Sequence, residues 1–517
     1  MRKPGLISYL IAIIALGAGV LILLATPWGP GLREDSFSYI TAAQSYAQGT
    51  GLGRWAADGT FRPLTHFPPL LPLLFAGIKQ LGFDLVGSFR VLNGVLFSSI
   101  VILTALSIYV TSRSEWGALA GALLTASSGV LIENFTWAHS EPLYLTLSIA
   151  GLILLSIYMS SKKNNWYFAG SIVAVALAFL TRFAGIALIV SSGLILAVMP
   201  WTTLKRRLGI TSVFSASSAL PTAAFMVRNR MLYGTASDRP TPLWHPPELE
   251  KWMEGARTIL SWFLPHRLLN LFSDSLILIL GATALTAIFA LASLTSIRYY
   301  RRLKREELFR TSLWYLLFTN AVGYLGLVLL TVLFLDRLTP LNDRIMVPFY
   351  LFLLPLLTTS VIILCKGLAR LRLPVTVLTV GFILLHGYRG IQTIEDLRER
   401  GLGLSTPGWH TSEAIAYLRS LPQVPIYTND IPAVYFHADR MAHFIPVRVN
   451  PAEGSLREDY QNELEEMRER LSGENGILIL FGESPRARLH SAELEDVTRS
   501  LYLVWEFEDA LVYRPKK

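Results

Sequence analysis

Only one cysteine, Cys365, occurs in 517 residues, so neither a disulfide framework nor a cysteine-based zinc site can form. Charge is scarce too. Asp, Glu, Lys and Arg make up 16% of the chain, against roughly 25% in soluble domains. Such a chain lacks the polar surface of a water-soluble enzyme, and its composition excludes a disordered or fibrous protein as well. There is no internal repeat, low-complexity tract or heptad array. The chain is instead apolar, with 52% hydrophobic residues and a mean hydropathy of +0.44. Length alone would allow about three globular domains. Composition replaces that expectation with a polytopic membrane protein.

A helix crossing the roughly 30 Å hydrocarbon core needs about 20 apolar residues. Eleven runs are expected to cross: 7–26, 89–110, 117–133, 141–159, 166–181, 183–200, 208–227, 274–297, 311–335, 345–364 and 374–390. The first follows Met1-Arg2-Lys3 and is longer than the apolar core of a signal peptide, so it is expected to be retained. The stretch 166–200 reads as two spans turning at Arg182, because one straight helix would be about 52 Å long. On this count seventeen Lys and Arg fall in cytoplasmic segments, among them Arg2, Lys3, Lys162, Lys163, Lys205, Arg206, Arg207 and the 298–310 cluster. The short outer connections carry only Arg182, Arg337 and Arg344.

This asymmetry is the positive-inside pattern. It accounts for the net charge of +9 without a nucleic-acid partner, and it puts the N-terminus in the cytoplasm and the C-terminal domain outside. The expected fold class is mainly α, a polytopic membrane protein with about eleven transmembrane helices plus a small C-terminal α/β extracytoplasmic domain. Residues 1–390 are expected to form the membrane domain, with long outer loops at 27–88 and 228–273. Residues 391–517 form the outer domain, joined through the polar stretch 391–408. Amphipathic stretches at 36–48 and 68–81 are expected to lie along the membrane interface. In the tail, 412–421 and 456–472 read as helices, and 424–428, 477–481 and 502–514 as strands.

Ionisable groups near apolar spans are costly and tend to have a function. Here they gather on the outer side: Glu34, Asp35, His66, Glu133, His139, Glu141, Arg182, Asp336, Arg337, Asp343 and Arg344. An active site would therefore face out. Six tryptophans also map outside, Trp55, Trp137, Trp244, Trp252, Trp262 and Trp409. Their faces suit sugar rings, lipid headgroups or an interfacial belt. Asp35 reads either as a general base at the membrane boundary or as the cap of helix 36–48. Glu141 reads as an acceptor-orienting or cation-binding carboxylate, or as a first-turn acid before Pro142. Arg182 and Arg344 offer the fixed donor fork that matches phosphate, or they snorkel to the interface. Asp343 is placed to hold Arg344.

Four segments carry a resemblance. The first outer loop has Glu34-Asp35-Ser36-Phe37-Ser38-Tyr39, then Gly49-Thr50-Gly51 and Thr65-His66-Phe67-Pro68-Pro69-Leu70. His139-Ser140-Glu141-Pro142, Leu180-Thr181-Arg182-Phe183-Ala184-Gly185 and Asp343-Arg344-Ile345-Met346-Val347-Pro348 follow in order. Together they resemble the GT-C superfamily of glycosyltransferases, in its protein-mannosyltransferase and aminoarabinose-transferase-like branch, over roughly residues 1–390. Ile345 replaces the usual aromatic, and Ser36 stands where several relatives have a second acid.

The resemblance implies transfer of a sugar, with inversion, from a polyprenyl-phosphate donor to a glycan, lipid or protein acceptor outside the cytoplasm. It implies Asp35 and Glu141 as catalytic residues. Glu34, Tyr39, His66, His139, Arg182 and Arg344 would bind substrate. A divalent cation is a candidate cofactor, with Glu141 and His66 as candidate ligands. Two other readings stay open: a secondary transporter, disfavoured because the charges crowd one face and no half-repeat is visible, and a non-enzymatic membrane scaffold presenting the C-terminal domain.

Overall fold

A computed structural model describes residues 5–161, 164–237, 244, 246–300, 307–336, 338–368, 370, 372–449, 456–482 and 491–516. Arg2, Lys3, Lys162, Lys163, Arg301, Arg302, Lys304, Arg305 and Arg337 lie outside the described residues, so part of the charge asymmetry rests on sequence alone. The described chain divides into two compact units. One comprises 1–27, 65–71 and 84–399, and the other 28–64, 72–83 and 400–517.

Each of the eleven expected apolar runs forms helix in the first unit. Among the described residues, eight helices are long and apolar enough to cross a membrane. The expected span 117–133 is a pair, Glu115–Ala126 and Gly129–Thr136, bent by 52° and making nine if counted as one span. The break has a local cause. Ser127 Oγ turns back to Leu123 O (2.7 Å), and Ser128 Oγ accepts from Leu131 N (3.4 Å), so two serines end one helix and start the next.

The expected spans 166–181 and 183–200 are the shorter helices Asn165–Thr181 and Phe183–Val198. Between them Arg182 is extended (φ −147°, ψ 135°). Both helices fall short of the roughly 20 residues a straight crossing needs. Helix Leu204–Tyr233 carries on past the expected loop start at 228, and Arg372–Arg400 takes in the first half of the stretch expected as a connector. The second outer loop contains helices Leu249–Ser261 and His266–Leu269.

Helix packing in this unit uses small residues and helix-end carbonyls. Gly19 of Leu6–Ala25 faces Gly94 of Leu85–Ser112, where a Cβ on Gly19 would stand 2.7 Å from Gly94 O. Only glycine allows backbones to approach so closely. Arg90 donates to Leu23 O (2.9 Å) and Thr26 Oγ1 (3.1 Å), capping the end of the first helix with a cation.

The second unit contains a five-stranded sheet in the order β4-β3-β5-β7-β6. Its strands are β3 (Ile426–Thr428), β4 (His443–Phe444), β5 (Ile477–Phe481), β6 (Leu501–Glu506) and β7 (Ala510–Pro515). β3 pairs parallel with β4 and β5, and β7 antiparallel with β5 and β6. β1 (Gly53–Trp55) and β2 (Phe61–Pro63) form a separate hairpin. The central strand β5 is apolar and buried along its whole length, as a strand covered on both faces must be. Leu464, Met467 and Leu471, at helical spacing on Tyr460–Gly473, pack into the same core as Leu478 and Leu480.

Two expectations are corrected here. The first outer loop does not belong with the helices of 1–390, because most of it joins the tail in the second unit. The buried face of the stretch 36–48 is not free to meet a membrane surface. The stretch forms helix Glu34–Ala47, whose Phe37, Tyr39 and Ile40 are buried. Phe37 packs edge-on against Tyr435 (5.1 Å) and Phe436 (6.2 Å), and Tyr435 Oη donates to Gln44. Ser405 Oγ donates to Pro30 O (2.6 Å), and Leu404 N to Leu32 O (3.0 Å). The apolar face that suggested an interfacial helix is satisfied by protein.

Burial pushes the His437 and His443 rings below the ordinary imidazole range. His437 Nε2 lies 2.7 Å from Leu404 O, and the ring stacks on Trp409. The unfolded chain, with imidazoles near 6.5, takes up protons before the folded one does. The stability from these neutral rings is full above about pH 6.5 and is lost as pH falls toward the depressed folded values. Amide-exchange protection in β3 and β5, corrected for intrinsic rate, should therefore fall between pH 7 and pH 5, with a shallower fall in His437→Gln. A flat profile in the unaltered protein would contradict this.

Candidate functional site

The most concentrated polar arrangement in the helical unit is built on one carboxylate. Glu141 opens helix Glu141–Ser161 and is only 1% exposed. Arg182 Nη1 approaches Glu141 Oε1 at 2.7 Å, and Arg344 Nε approaches the same oxygen at 2.7 Å. Each partner is delivered by a local feature. Arg182 reaches Glu141 because Asn165–Thr181 stops there and the next turn is tight, Gly185 lying so near Phe179 that a Cβ would meet its Cα at 2.5 Å. Arg344 occupies the first turn of Asp343–Gly367, whose N-cap Asn342 accepts from Ile345 N (3.2 Å).

Other groups close the cluster. Ser140 Oγ accepts from Arg182 Nη1 (3.1 Å). Tyr324 Oη donates to Ile345 O (2.8 Å), and Tyr144 and Tyr324, both buried, lie within electrostatic reach of Arg182. The His139 ring, 2% exposed, stacks on Trp137 at 5.3 Å and 7°. Asn93 Nδ2 donates to Trp137 O (2.8 Å), tying that turn to helix Leu85–Ser112.

The structure thus brings together Glu141, Arg182 and Arg344, with His139 beside them. His66 is exposed, its ring edge-on to Phe67 at 4.9 Å. Glu34, Asp35 and Tyr39 lie on helix Glu34–Ala47 of the other unit. Asp35 does not cap that helix. The cap position is Arg33, whose N donates to Ser36 Oγ (3.2 Å), and Asp35 follows Glu34 inside the first turn. There the helix dipole favours a charged carboxylate. Asp35 is half-buried, Glu34 is exposed and Tyr39 is buried.

Two sequence expectations change. Asp343 does not hold Arg344. Its Oδ1 accepts from Trp262 Nε1 (2.8 Å), and Glu141, distant in sequence, holds Arg344 instead. Trp262 is accordingly no outer aromatic platform, being 2% exposed with its carbonyl 3.1 Å from His386 Nε2. Glu141 Oε1 is shared by the two guanidiniums, and His66 is exposed. Among the described residues, no group of three or more His, Cys, Asp or Glu could hold a metal ion. Tyr324 went unnoticed in the sequence, where a mid-helix tyrosine carries no motif signal.

No family model and no curated protein matches the chain in sequence. Solved structures do match. The oligosaccharyltransferase of Archaeoglobus fulgidus, solved with Zn and sulfate, aligns over 98% of this chain and 73% of its own, at 14% identity and a TM-score of 0.54. The same organism's AglB, with an inhibitory peptide and a dolichol-phosphate, aligns over 92% and 69%, at 14% identity and 0.51. ArnT of Cupriavidus metallidurans, bound to undecaprenyl phosphate, aligns over 97% of both chains, at 13% identity and 0.50. This chain has the fold of the GT-C glycosyltransferases. At these identities the likeness is one of fold, and within that GT-C fold the Glu141 cluster ties together three helices far apart in sequence.

Removing the Glu141 charge takes from both guanidiniums the carboxylate oxygen they share. Breaking a buried pair costs about 3–5 kcal/mol. Because Arg182 and Arg344 keep 18% and 24% side-chain exposure, Glu141→Gln should cost about 3 kcal/mol, the low end of that range. Thermal unfolding in detergent should show a lowered Tm, partly restored when Arg344→Met is added. An unchanged Tm in Glu141→Gln would show that the cluster does not hold the helices.

Proposed function

We propose that this protein is a glycosyltransferase that takes a sugar from a polyprenyl-phosphate-linked donor and passes it to a glycan, lipid or protein acceptor outside the cytoplasm, with inversion at the anomeric carbon. The observation that carries this reading is the pair of guanidiniums gathered on one buried carboxylate, at the ends of apolar helices, in a chain whose whole length follows a GT-C fold. The ligands of the solved neighbours, undecaprenyl phosphate and a dolichol-phosphate, favour the same donor class. The reading includes eleven membrane crossings, a cytoplasmic N-terminus and an outer C-terminal domain.

In this mechanism Asp35 is the base. The acceptor attacks the anomeric carbon from the face opposite the phosphate and loses its proton to the Asp35 carboxylate. The bond from that carbon to the phosphate oxygen breaks, and the electron pair leaves with the lipid phosphate. Charge grows on the phosphate as the bond breaks, so a cation there stabilises the transition state more than the ground state. Arg344 and Arg182 are that cation. Glu141 engages Arg344 through Nε, which fixes the plane of the fork. Glu141 is therefore a positioning residue that acts through Arg344.

A positioned general base contributes about 10²–10⁴-fold. Asp35→Asn should lose turnover on that scale with little change in Tm, since Asp35 is not the helix cap. A folded Asp35→Asn enzyme with near-normal turnover would remove Asp35 from the chemistry. Arg344→Lys should weaken donor binding and lower the single-turnover rate, because an ammonium cannot reproduce the fork. Unaltered values for both would favour a snorkelling anchor, a role lysine fills equally well.

A further inference from the structure

Helix Asp343–Gly367 starts at the Glu141 cluster and ends beside a second group of cations. Arg344 and Lys366 are separated along it by about 33 Å, at about 1.5 Å per residue, close to the roughly 30 Å thickness of a hydrocarbon core. The far end opens into a cavity of about 230 Å³ lined by Arg298, Tyr299, Glu307, Arg310, Ile363 and Lys366. A water occupies about 30 Å³, so the space exceeds a few waters and accommodates a phosphate group.

Among the described residues three cations line this cavity against one carboxylate, and Glu307 stands 3.8 Å from Arg310 Nη1. The simplest account is that the cations cap helix Leu85–Ser112. Lys366 Nζ does donate to Ser112 O (2.9 Å), and Arg310 Nε and Tyr299 Oη both donate to Thr111 O. Capping uses one donor of each cation, while an ammonium has three and a guanidinium five. It also leaves Arg298 unexplained. Among the described residues Arg298 makes no hydrogen bond or ion pair, and its guanidinium lies along the backbone of Gly367, where a Cβ would stand 3.1 Å from Nη1. The Arg310 guanidinium stacks over the Tyr299 ring at 5.0 Å, which holds its fork in place. A basic cavity between helices at a membrane boundary matches the headgroup of an anionic lipid.

We propose that this cavity binds the phosphate of an anionic membrane lipid, with Arg298, Arg310 and Lys366 as its ligands, at the opposite end of the helix from the donor site. The proposal does not rest on glycosyl transfer. It is tested by native mass spectrometry of the full chain released from phosphatidylcholine nanodiscs with and without phosphatidylglycerol, and by titration with inorganic phosphate. Phosphatidylglycerol should be retained in preference to phosphatidylcholine. Arg298→Gln should lower its retention at least tenfold, as should Lys366→Gln. Equal retention by Arg298→Gln and the unaltered protein would overturn the site. No preference over phosphatidylcholine would overturn it as well. Binding of inorganic phosphate as tight as that of the lipid would overturn the assignment to a membrane source.

Discussion

One carboxylate oxygen holds the helical unit's polar centre together. Glu141 Oε1 accepts from Arg182, at a break between two short helices, and from Arg344, at the start of a long one. Burying a carboxylate alone would be prohibitive, and burying two guanidiniums without a counter-ion equally so. Each charge is tolerated because the others are there, so the three helix ends must stay in one arrangement. The same constraint sets the orientation of the Arg344 fork.

The remaining architecture supports that arrangement with ordinary devices. Paired glycines let Leu6–Ala25 and Leu85–Ser112 touch, Arg90 caps the first helix, and Trp262 and Asp343 fix the turn before Arg344. The second unit follows different rules. A mixed sheet with a buried central strand supplies its core, and the first outer loop contributes a helix that buries Phe37, Tyr39 and Ile40 within it. Asp35 lies on that helix, its carboxylate in the first turn and partly open.

Much of this was legible in the sequence because apolar length is a strong signal. Each expected apolar run is a helix, and the turn at Arg182 followed from the length of 166–200. Length could not reveal the bend at Ser127 and Ser128, since two serines in an apolar run leave its hydropathy nearly unchanged. Nor could it show that Asn165–Thr181 and Phe183–Val198 stop short. The site was legible residue by residue but not in its pairing. Arg182, Arg344 and Glu141 each stood out as costly charges, while proximity in sequence suggested the wrong partner for Arg344. Asp343 is adjacent in the chain yet pairs with Trp262, and Glu141 lies 203 residues away. The burial of helix Glu34–Ala47 was hidden for the same reason, since its partners Tyr435 and Phe436 come from the tail.

The central claim is that the guanidiniums organised by Glu141 receive the lipid phosphate. It is tested most directly by an electron cryo-microscopy map of the protein in nanodiscs with undecaprenyl phosphate. The account predicts phosphate density within hydrogen-bonding distance of the Arg344 guanidinium, with the Arg344 to Glu141 contact intact. Phosphate density elsewhere, with both guanidiniums turned wholly onto Glu141, would contradict it.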